Sequence, residues 1–369
     1  MKKALKITAI VIVSIIVFVV VVAGGYVGYI SAQYYRIEDE LELEVSGATA
    51  NKVELNQNYT VSTYNIGFGA YTQEFSFFMD TGIMLDGTAV SGTNSTAKDK
   101  ATVLANTNGA ISVISPFSYD FMLFQEVDTN STRSHKVNQY NIIKENFSAY
   151  SSVFAVNFHS GYLMYPLNDP HGSVNSGIAT LSSKQIDNAV RYSFPVDMSF
   201  PTKFFDLDRC FTLSYLPIEG SDKFFCLINI HMSAYDKGGT IRVKQVAALN
   251  AILAAEYSKG NYVVAGGDFN HDLINSLNIF PTTQQVPEWV YQLSDADLTE
   301  GYSFAAAINA PTCRSTDMAY TAGVNYTVVI DGFIVSDNVT VVNITNINAD
   351  FEYSDHNPAV LTFLLNNAG

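Results

Sequence analysis

Two hydrophobic patterns divide this chain. From Ile7 to Ile30 the side chains are almost uniformly apolar, broken only by Thr8, Ser14 and three glycines. Roughly 24 residues at 1.5 Å each reach about 36 Å, more than the hydrocarbon core of a bilayer. A buried core helix would show a polar face, and none is available here. The segment therefore predicts a membrane span. Lys2, Lys3 and Lys6 precede it, and Glu38, Asp39, Glu40, Glu42 and Glu44 follow it. This charge bias places the N-terminus in the cytoplasm and the bulk of the chain outside, in a single-pass arrangement. Cleavage near Ala23-Gly24-Gly25 would instead release a secreted protein. The apolar run continues past that point through Tyr26, Val27, Tyr29 and Ile30, which favours an uncleaved anchor. The expected division is 1–6 as a short basic end, 7–30 as anchor, 31–58 as a polar acidic stalk and 59–369 as one folded domain.

Past residue 58 the pattern changes to short β-rich runs alternating with helical ones. Strands are predicted at Thr60–Asn65, Phe121–Gln125, Val153–Phe158, Gly177–Leu181, Phe211–Leu216, Phe224–Ile230, Tyr262–Ala265, Val328–Val335 and Ala359–Leu364. Helices are predicted at Lys98–Ile114, Asn138–Asn146 and Thr240–Tyr257. In the last of these Ile241, Val246, Leu249, Ile252 and Leu253 recur at helical spacing. Pro217–Lys223 reads as a hairpin turn. No Pro- or Gly-rich boundary divides this part, so it predicts one α/β domain with mixed sheets.

Composition narrows the function classes. Charged residues are only 15% of the chain, with 22 Tyr and 24 Phe, a core-rich composition that excludes disorder. The net charge of −15 argues against a broad basic surface for polyanions. Three cysteines (Cys210, Cys226, Cys313) form no CxxC pair and read as small, half-buried apolar residues, with one bridge open to them in an oxidising compartment. No HExxH cluster is present, which removes a zinc-hydrolase reading.

The chemistry lies where the predicted strands end, the usual place for α/β sites. Thr60–Asn65 ends in Tyr64-Asn65-Ile66-Gly67, and Phe121–Gln125 leads into Gln125-Glu126-Val127-Asp128. Phe224–Ile230 leads into His231, and Tyr262–Ala265 into Gly266-Gly267-Asp268-Phe269-Asn270. Asp331 sits inside an apolar run, and Ser354-Asp355-His356-Asn357-Pro358 precedes the last strand. A single acid after a strand is usually a cap or turn former. Six such blocks on one chain are hard to explain as caps.

In order and spacing the blocks resemble the endonuclease/exonuclease/phosphatase superfamily, over roughly Thr60 to Leu365. Gln125-Glu126-Val127, Gly267-Asp268-Phe269-Asn270 and Ser354-Asp355-His356 are specific in combination. The resemblance implies a four-layer α/β sandwich of two packed mixed β-sheets flanked by helices, following one N-terminal transmembrane helix. It also implies hydrolysis of phosphoesters with Mg²⁺, or with Mn²⁺ or Ca²⁺ in its place. A hard cation on oxygen ligands neutralises the charge that builds on phosphoryl oxygens. Glu126 is then the leading metal ligand, with Asn65 beside it and Asp331 and Asp355 as further ligands. Asp355-His356 forms a carboxylate–imidazole unit, with Asp331 as another ring orienter. Asp268 orients or deprotonates water, Asn270 donates to a phosphate oxygen, and His231 donates to a non-bridging oxygen or leaving group.

Arg209 is a candidate phosphate clamp, with a salt bridge to Asp206 or Asp208 as the alternative. Asn175, in Asn175-Ser176-Gly177, is a further substrate-binding candidate. His135, His159, His171 and His271 read as ordinary loop residues. Arg314, in Pro311-Thr312-Cys313-Arg314, resembles a weak form of the phosphatase branch's substrate loop. It lacks the fuller signature, which counts against an inositol 5-phosphatase.

A nuclease is the first substrate expectation. A lipid headgroup or a small soluble phosphoester follows closely because of the acidic charge and the tether. Glu74–Leu85 is weighed as a bilayer-entering hairpin and reads better as a buried loop or helix. A catalytically inactive binding module is the alternative of another class, and it predicts the loss of at least one site residue. No protein partner is evident.

Overall fold

The computed structural model describes residues 2–47, 49–205, 208–234, 239–288 and 290–367. In chain order its elements begin with the helix α1 (Lys2–Gln33), then the strands β1 (Leu41–Glu42), β2 (Val45–Ser46), β3 (Asn58–Asn65), β4 (Thr81–Ile83) and β5 (Ala89–Ser91). Next come α2 (Lys100–Ile114), β6 (Phe121–Asp128), α3 (Gln139–Asn146), β7 (Ser151–Leu163), β8 (Gly172–Ser182) and β9 (Asn188–Ser193). The second half holds β10 (Cys210–Pro217), β11 (Phe224–His231), α4 (Thr240–Ser258), β12 (Tyr262–Asp268) and β13 (Tyr302–Ala305). It closes with β14 (Cys313–Arg314), β15 (Thr327–Val328), β16 (Asp331–Ser336), β17 (Val339–Asn346) and β18 (Ala359–Leu365).

The central strands carry apolar side chains on both faces because both faces are covered. Along β6, Phe121 and Leu123 enter the core between the sheets, while Met122 and Phe124 face the opposite way, toward α2 and α3. Along β11, Phe225 and Leu227 point inward, and Cys226, Ile228 and Ile230 pack toward Leu249 and Leu253 of α4. The result is four layers, helix, sheet, sheet, helix, as expected from the resemblance. One sheet runs β1-β9-β10-β11-β12-β16-β13 and the other β17-β18-β3-β6-β8-β7-β2. Each contains one parallel pair, β11 with β12 and β3 with β6, among antiparallel neighbours. Phe121, Phe225 and Phe363 lock the sheets together, with ring centroids 5.3–6.3 Å apart.

The interior changes character toward the C-terminal ends of the parallel pairs. There Gln125 Nε2 donates to Asn229 Oδ1 (2.7 Å) across the sheets and to Thr63 Oγ1 (3.1 Å). Asn229 Nδ2 in turn donates to the Ala179 carbonyl (3.0 Å). This satisfied polar bridge replaces the apolar core just beneath the strand-end blocks.

Each predicted strand and helix is present, the strands mostly with longer ends and α2 and α3 starting later, after the N-caps Asp99 and Asn138, except that Val328–Val335 is interrupted. The Ile330 carbonyl accepts from Phe269 N, and Thr312 Oγ1 takes the N–H groups of Ile330 and Asp331. These backbone groups serve neighbouring loops and leave the ladder broken. The segment read as a stalk differs more. Leu41–Glu42 pairs with β9, Val45–Ser46 pairs with β7, and Val53 is fully buried beside Ile218. Leu43, Val45, Val53 and Leu55 supply apolar contacts that the acidic residues around them conceal. Within Glu74–Leu85, Phe75 is buried as a loop reading expects, while Thr81–Ile83 pairs with Ala89–Ser91 in a short hairpin that leaves Met79, Ile83 and Leu85 exposed. All three cysteines are buried and free. Helix α1 is exposed through its apolar run, but Ile30 is buried among Phe158, Leu163, Val174 and Phe204.

Candidate active site

Six strand-end blocks converge because two parallel pairs finish at one end of the sandwich. In one sheet His231 pairs with Asp268 and Asp268 pairs with Asp331, so three elements deliver adjacent side chains. In the other, Asn65 pairs with Gln125 at the ends of β3 and β6. The loop before β18 crosses to the same place, where Ser354 Oγ donates to the Asn65 carbonyl (2.8 Å).

Local backbone devices aim the side chains. Between Phe124 and Val127 the register of β6 slips against β8, giving β6 one extra residue, and Glu126 there adopts φ 54°. Such a bulge turns a side chain out of the strand's alternation. At Gly67 (φ 52°) a Cβ would meet the Tyr71 ring at 2.5 Å and lie 2.9 Å from Asp355 Oδ1, so a larger residue would displace both. At Gly267 a Cβ would run into the Ile230 carbonyl, so only glycine lets β12 approach β11 this closely.

Asp268 stands at the centre. Its Oδ1 accepts from Asn270 N (2.8 Å), and its Oδ2 accepts from Asn65 Nδ2 (3.0 Å). The same oxygen lies 3.5 Å from His231 Nε2 and 3.8 Å from His356 Nε2. Asn157 Nδ2 donates to His231 Nδ1 (3.2 Å), which places the neutral ring's proton on Nε2. That N–H is buried, lacks a hydrogen-bond partner among the described residues, and lies 3.9 Å from Glu126 Oε1. Burial and the cations Arg209, His356 and Arg133 hold His231 well below its ordinary pKa. Burial works the same way on His356 and is the largest single influence, but Asp331, Cys313 and Asp268 together outweigh it and hold that imidazole well above its ordinary value.

The pairing of His356 corrects an expectation. Its Nδ1 donates to Asp331 Oδ2 at 2.8 Å, so Asp331 orients the ring and the adjacent Asp355 does not. Consecutive residues around a turn face apart, and only the long-range fold brings residue 331 beneath residue 356. Asp355 instead feels Glu126. Burial, with the Glu126 carboxylate adding to it, pushes Asp355 up to about 7, against the opposing pull of His356. Burial likewise raises Asp331 to about 6.

A cleft of about 760 Å³ opens over these groups. Glu126, Asp268, Asn270, Asp355 and His356 line it together with Arg133, Arg209 and Arg314. Asn65, His231 and Asp331 stand behind that wall. Asn65 was expected to offer its oxygen to a metal, but Oδ1 accepts from Gly67 N (3.0 Å) and the amide group bridges Glu126 and Asp268. Arg209 lines the cleft, and the Asp208 carboxylate is held by Arg36 at 2.6 Å, so the Arg209–Asp208 pair is not formed. Asp206 lies outside the described residues. Asn175 does not line the cleft, and its backbone bonds to Thr129 and Ser131 brace a loop. His135, His171 and His271 bond to backbone carbonyls, and His159 stacks on Tyr35.

Sequence reasoning missed the cleft's aromatic wall and one of its cations. Arg133 holds Asp128 through two bonds (3.0 and 3.1 Å) and lies 3.9 Å over the Phe68 ring. Phe68, Tyr71 and Phe77 line the cleft beside it. The one available signal was Gly67-Phe68-Gly69, a left-handed stretch two residues after Asn65.

The donor set suits a hard divalent cation. Asp268 lines the cleft with Glu126 and Asp355, and it also has ligand atoms of Asp331 and His356 within 4.8 Å, a pair already bonded to each other, although Asp331 Oδ1 is buried without a hydrogen-bond partner among the described residues. Glu126 and Asp355 add two mutually repelling carboxylates on the open side.

Comparison with known proteins agrees with this fold. The family described as "Endonuclease/Exonuclease/phosphatase family" matches residues 62–356. Among curated proteins nothing matches the sequence. Among solved structures, an endonuclease/exonuclease/phosphatase from Beutenbergia cavernae is similar at 15% identity and TM-score 0.52, over 85% of this chain and 73% of its own. TDP2 from D. rerio, complexed with single-strand DNA product, is similar at 13% identity and TM-score 0.52, over 84% of this chain and 99% of its own. The human Nocturnin catalytic domain, with bound sulfate, gives 13% identity and TM-score 0.51, over 88% and 97%. At these identities the three structures establish a shared fold.

Proposed function

Since this chain belongs to the endonuclease/exonuclease/phosphatase family, we propose that it hydrolyses phosphodiesters with a divalent cation, Mg²⁺ or in its place Mn²⁺ or Ca²⁺, outside the cytoplasm. The observation that carries the reading is Asp268, set between two imidazoles of opposite tendency and beside Glu126. Glu126 and Asp355 would hold the cation, with Asp268 adjoining. The cation supplies charge neutralisation at the phosphoryl oxygens.

The chain's own residues account for the rest. Asp268 borders the cleft as the acceptor that orients water and takes its proton, with Asn65 Nδ2 keeping the carboxylate in place. His356, charged and fixed by Asp331, donates toward a phosphoryl oxygen or the departing alkoxide. Neutral His231 offers an Nε2–H from behind Asp268, and Asn157 on its other nitrogen keeps it a donor. Asn270 is held by its Nδ2 on the Met232 carbonyl (2.9 Å) and borders the cleft. Arg209, Arg133 and Arg314 offset the carboxylates along the walls. The exposed apolar run of α1, with lysines before it and acids after it, supports an anchored placement facing away from the cytoplasm.

The test is a panel of DNA, RNA, sphingomyelin, inositol phosphates and a bis-aryl phosphate, with Mg²⁺ and with EDTA. Asp268→Asn and His356→Ala should each lower the rate about 10²–10⁴-fold. Activity on none of the panel, or activity indifferent to EDTA and to both substitutions, overturns the proposal. The DNA and RNA arms address the nuclease expectation directly.

A further inference from the structure

Strand β7 descends α1 in antiparallel fashion. The His159 ring stacks on Tyr35 with centroids 3.8 Å apart, and a Cβ on Gly161 would lie 3.1 Å from Gln33 Cβ. Tyr162 N–H donates to Tyr29 Oη (3.1 Å), and Met164 N–H donates to Tyr26 Oη (3.1 Å). From Gln33 to Tyr26 the helix retreats about 10 Å toward its apolar run. The connection from β7 to β8 therefore turns at the level of Tyr26, where the exposed valines of α1 begin.

What that connection presents is apolar. Leu167 is 82% exposed, Tyr165 63%, Met164 45% and Tyr162 41%. No charged residue occurs from Gly161 to Leu167. The nearest, Asp169, turns inward and accepts from Ser95 N and Thr96 Oγ1. Tyrosines beside an apolar helix at one depth are the composition of a membrane–water interface. The same connection reaches the cleft. Tyr165 packs on Phe78 (5.7 Å between centroids), Phe78 packs on Phe77 (4.9 Å), and Phe77 lines the cleft.

We propose that Tyr162–Leu167 is a second membrane contact entering the leaflet that holds the outer end of α1, and that the cleft receives the phosphodiester of a lipid headgroup from that surface. The proposal rests on the phosphodiesterase reading above. In the reaction a water oxygen forms a bond to phosphorus, one P–O ester bond breaks, the water's proton passes to the enzyme's acceptor, and the departing alkoxide leaves protonated. Nothing is oxidised or reduced. The net charge of −15 disfavours a nucleic acid as the competing substrate.

The experiment uses the full chain in vesicles of phosphatidylcholine, phosphatidylethanolamine and sphingomyelin with Mg²⁺. The paired substitutions Met164→Asp and Leu167→Asp should cut lipid hydrolysis by about tenfold or more, since charge opposes entry into a bilayer, while bis-aryl phosphate hydrolysis stays within about twofold. Leu167→Trp should show emission, beyond that of the parent chain, that brominated acyl chains quench. Unquenched emission, lipid hydrolysis untouched by the paired substitutions, or cleavage of DNA with none of lipid overturns the proposal. If the bis-aryl phosphate is not cleaved with any divalent cation, the phosphodiesterase reading fails, and the quenching still decides the membrane contact.

Discussion

Asp331 and Asp355 are near-equals in the sequence, one inside an apolar run and one beside a histidine, yet they take different parts. Asp331 lies beneath His356 and fixes its ring, while Asp355 borders the cleft and confronts Glu126. Asp331→Asn is expected to lower kcat about 10–100-fold with KM little changed, because it disorients a ring and leaves the cleft wall intact. Asp355→Asn should raise the Mg²⁺ concentration needed for half-maximal rate, and a metal titration separates the two effects. The residue types of the site were legible because each follows an apolar run. Their pairing was not, since neighbours in sequence are a poor guide to which carboxylate meets which imidazole across a sandwich. Arg133 was illegible for a related reason: it sits in a loop without periodicity, and only its bonds to Asp128 place it. His171 gives a prediction about stability. Burial, with the nearby Arg133, lowers it to about 4, and it bonds the Ser95 carbonyl through Nδ1. The folded chain thus resists a proton that the unfolded chain accepts near the ordinary value of 6.5. Stability from this group is complete above pH 6.5, falls as the pH drops from there, and is lost below 4, in all about 3 kcal/mol. Urea unfolding at pH 7, 5.5 and 4 should show that slope, and His171→Phe should flatten it.

Among the elements, burial decides what could be read. The strands covered on both faces announced themselves as apolar runs. Strand β17 was missed because half of its residues face solvent and its pattern is diluted by Asn and Thr, and β9 because its interior includes a fully buried arginine, Arg191. That arginine is satisfied by carbonyls of Val156, Glu38 and Asp208, which nothing local could have indicated. The acidic segment after α1 misled in the same way, its few apolar side chains outweighing its charges once sheet edges were available. Two tests belong to this scale. Phe225→Ala, at the centre of the ring cluster joining the sheets, should cost about 3–5 kcal/mol in chemical unfolding. Asn229→Ala should cost about 1–3 kcal/mol, since it strands Gln125 above the core, and it should also lower activity by loosening the bulge that carries Glu126.

For the molecule as a whole, the sandwich puts carboxylates from both sheets around one cleft, and their repulsion is a standing cost that the proposed cation would relieve. Mg²⁺ at about 100 times its dissociation constant should stabilise the fold by about 2.7 kcal/mol. A thermal shift that persists in Glu126→Gln at the same Mg²⁺ concentration would contradict this assignment of the cation.

The place of β18 has a consequence for biogenesis. It lies inside its sheet, between β17 and β3, and the Ser354–His356 loop leads directly into it. A nascent chain that has emerged only as far as Ile347 leaves β3 with an open flank and lacks two of the cleft's polar groups. On the function proposed above, hydrolytic competence would wait until β18 has docked between β17 and β3 and brought Asp355 and His356 to the cleft.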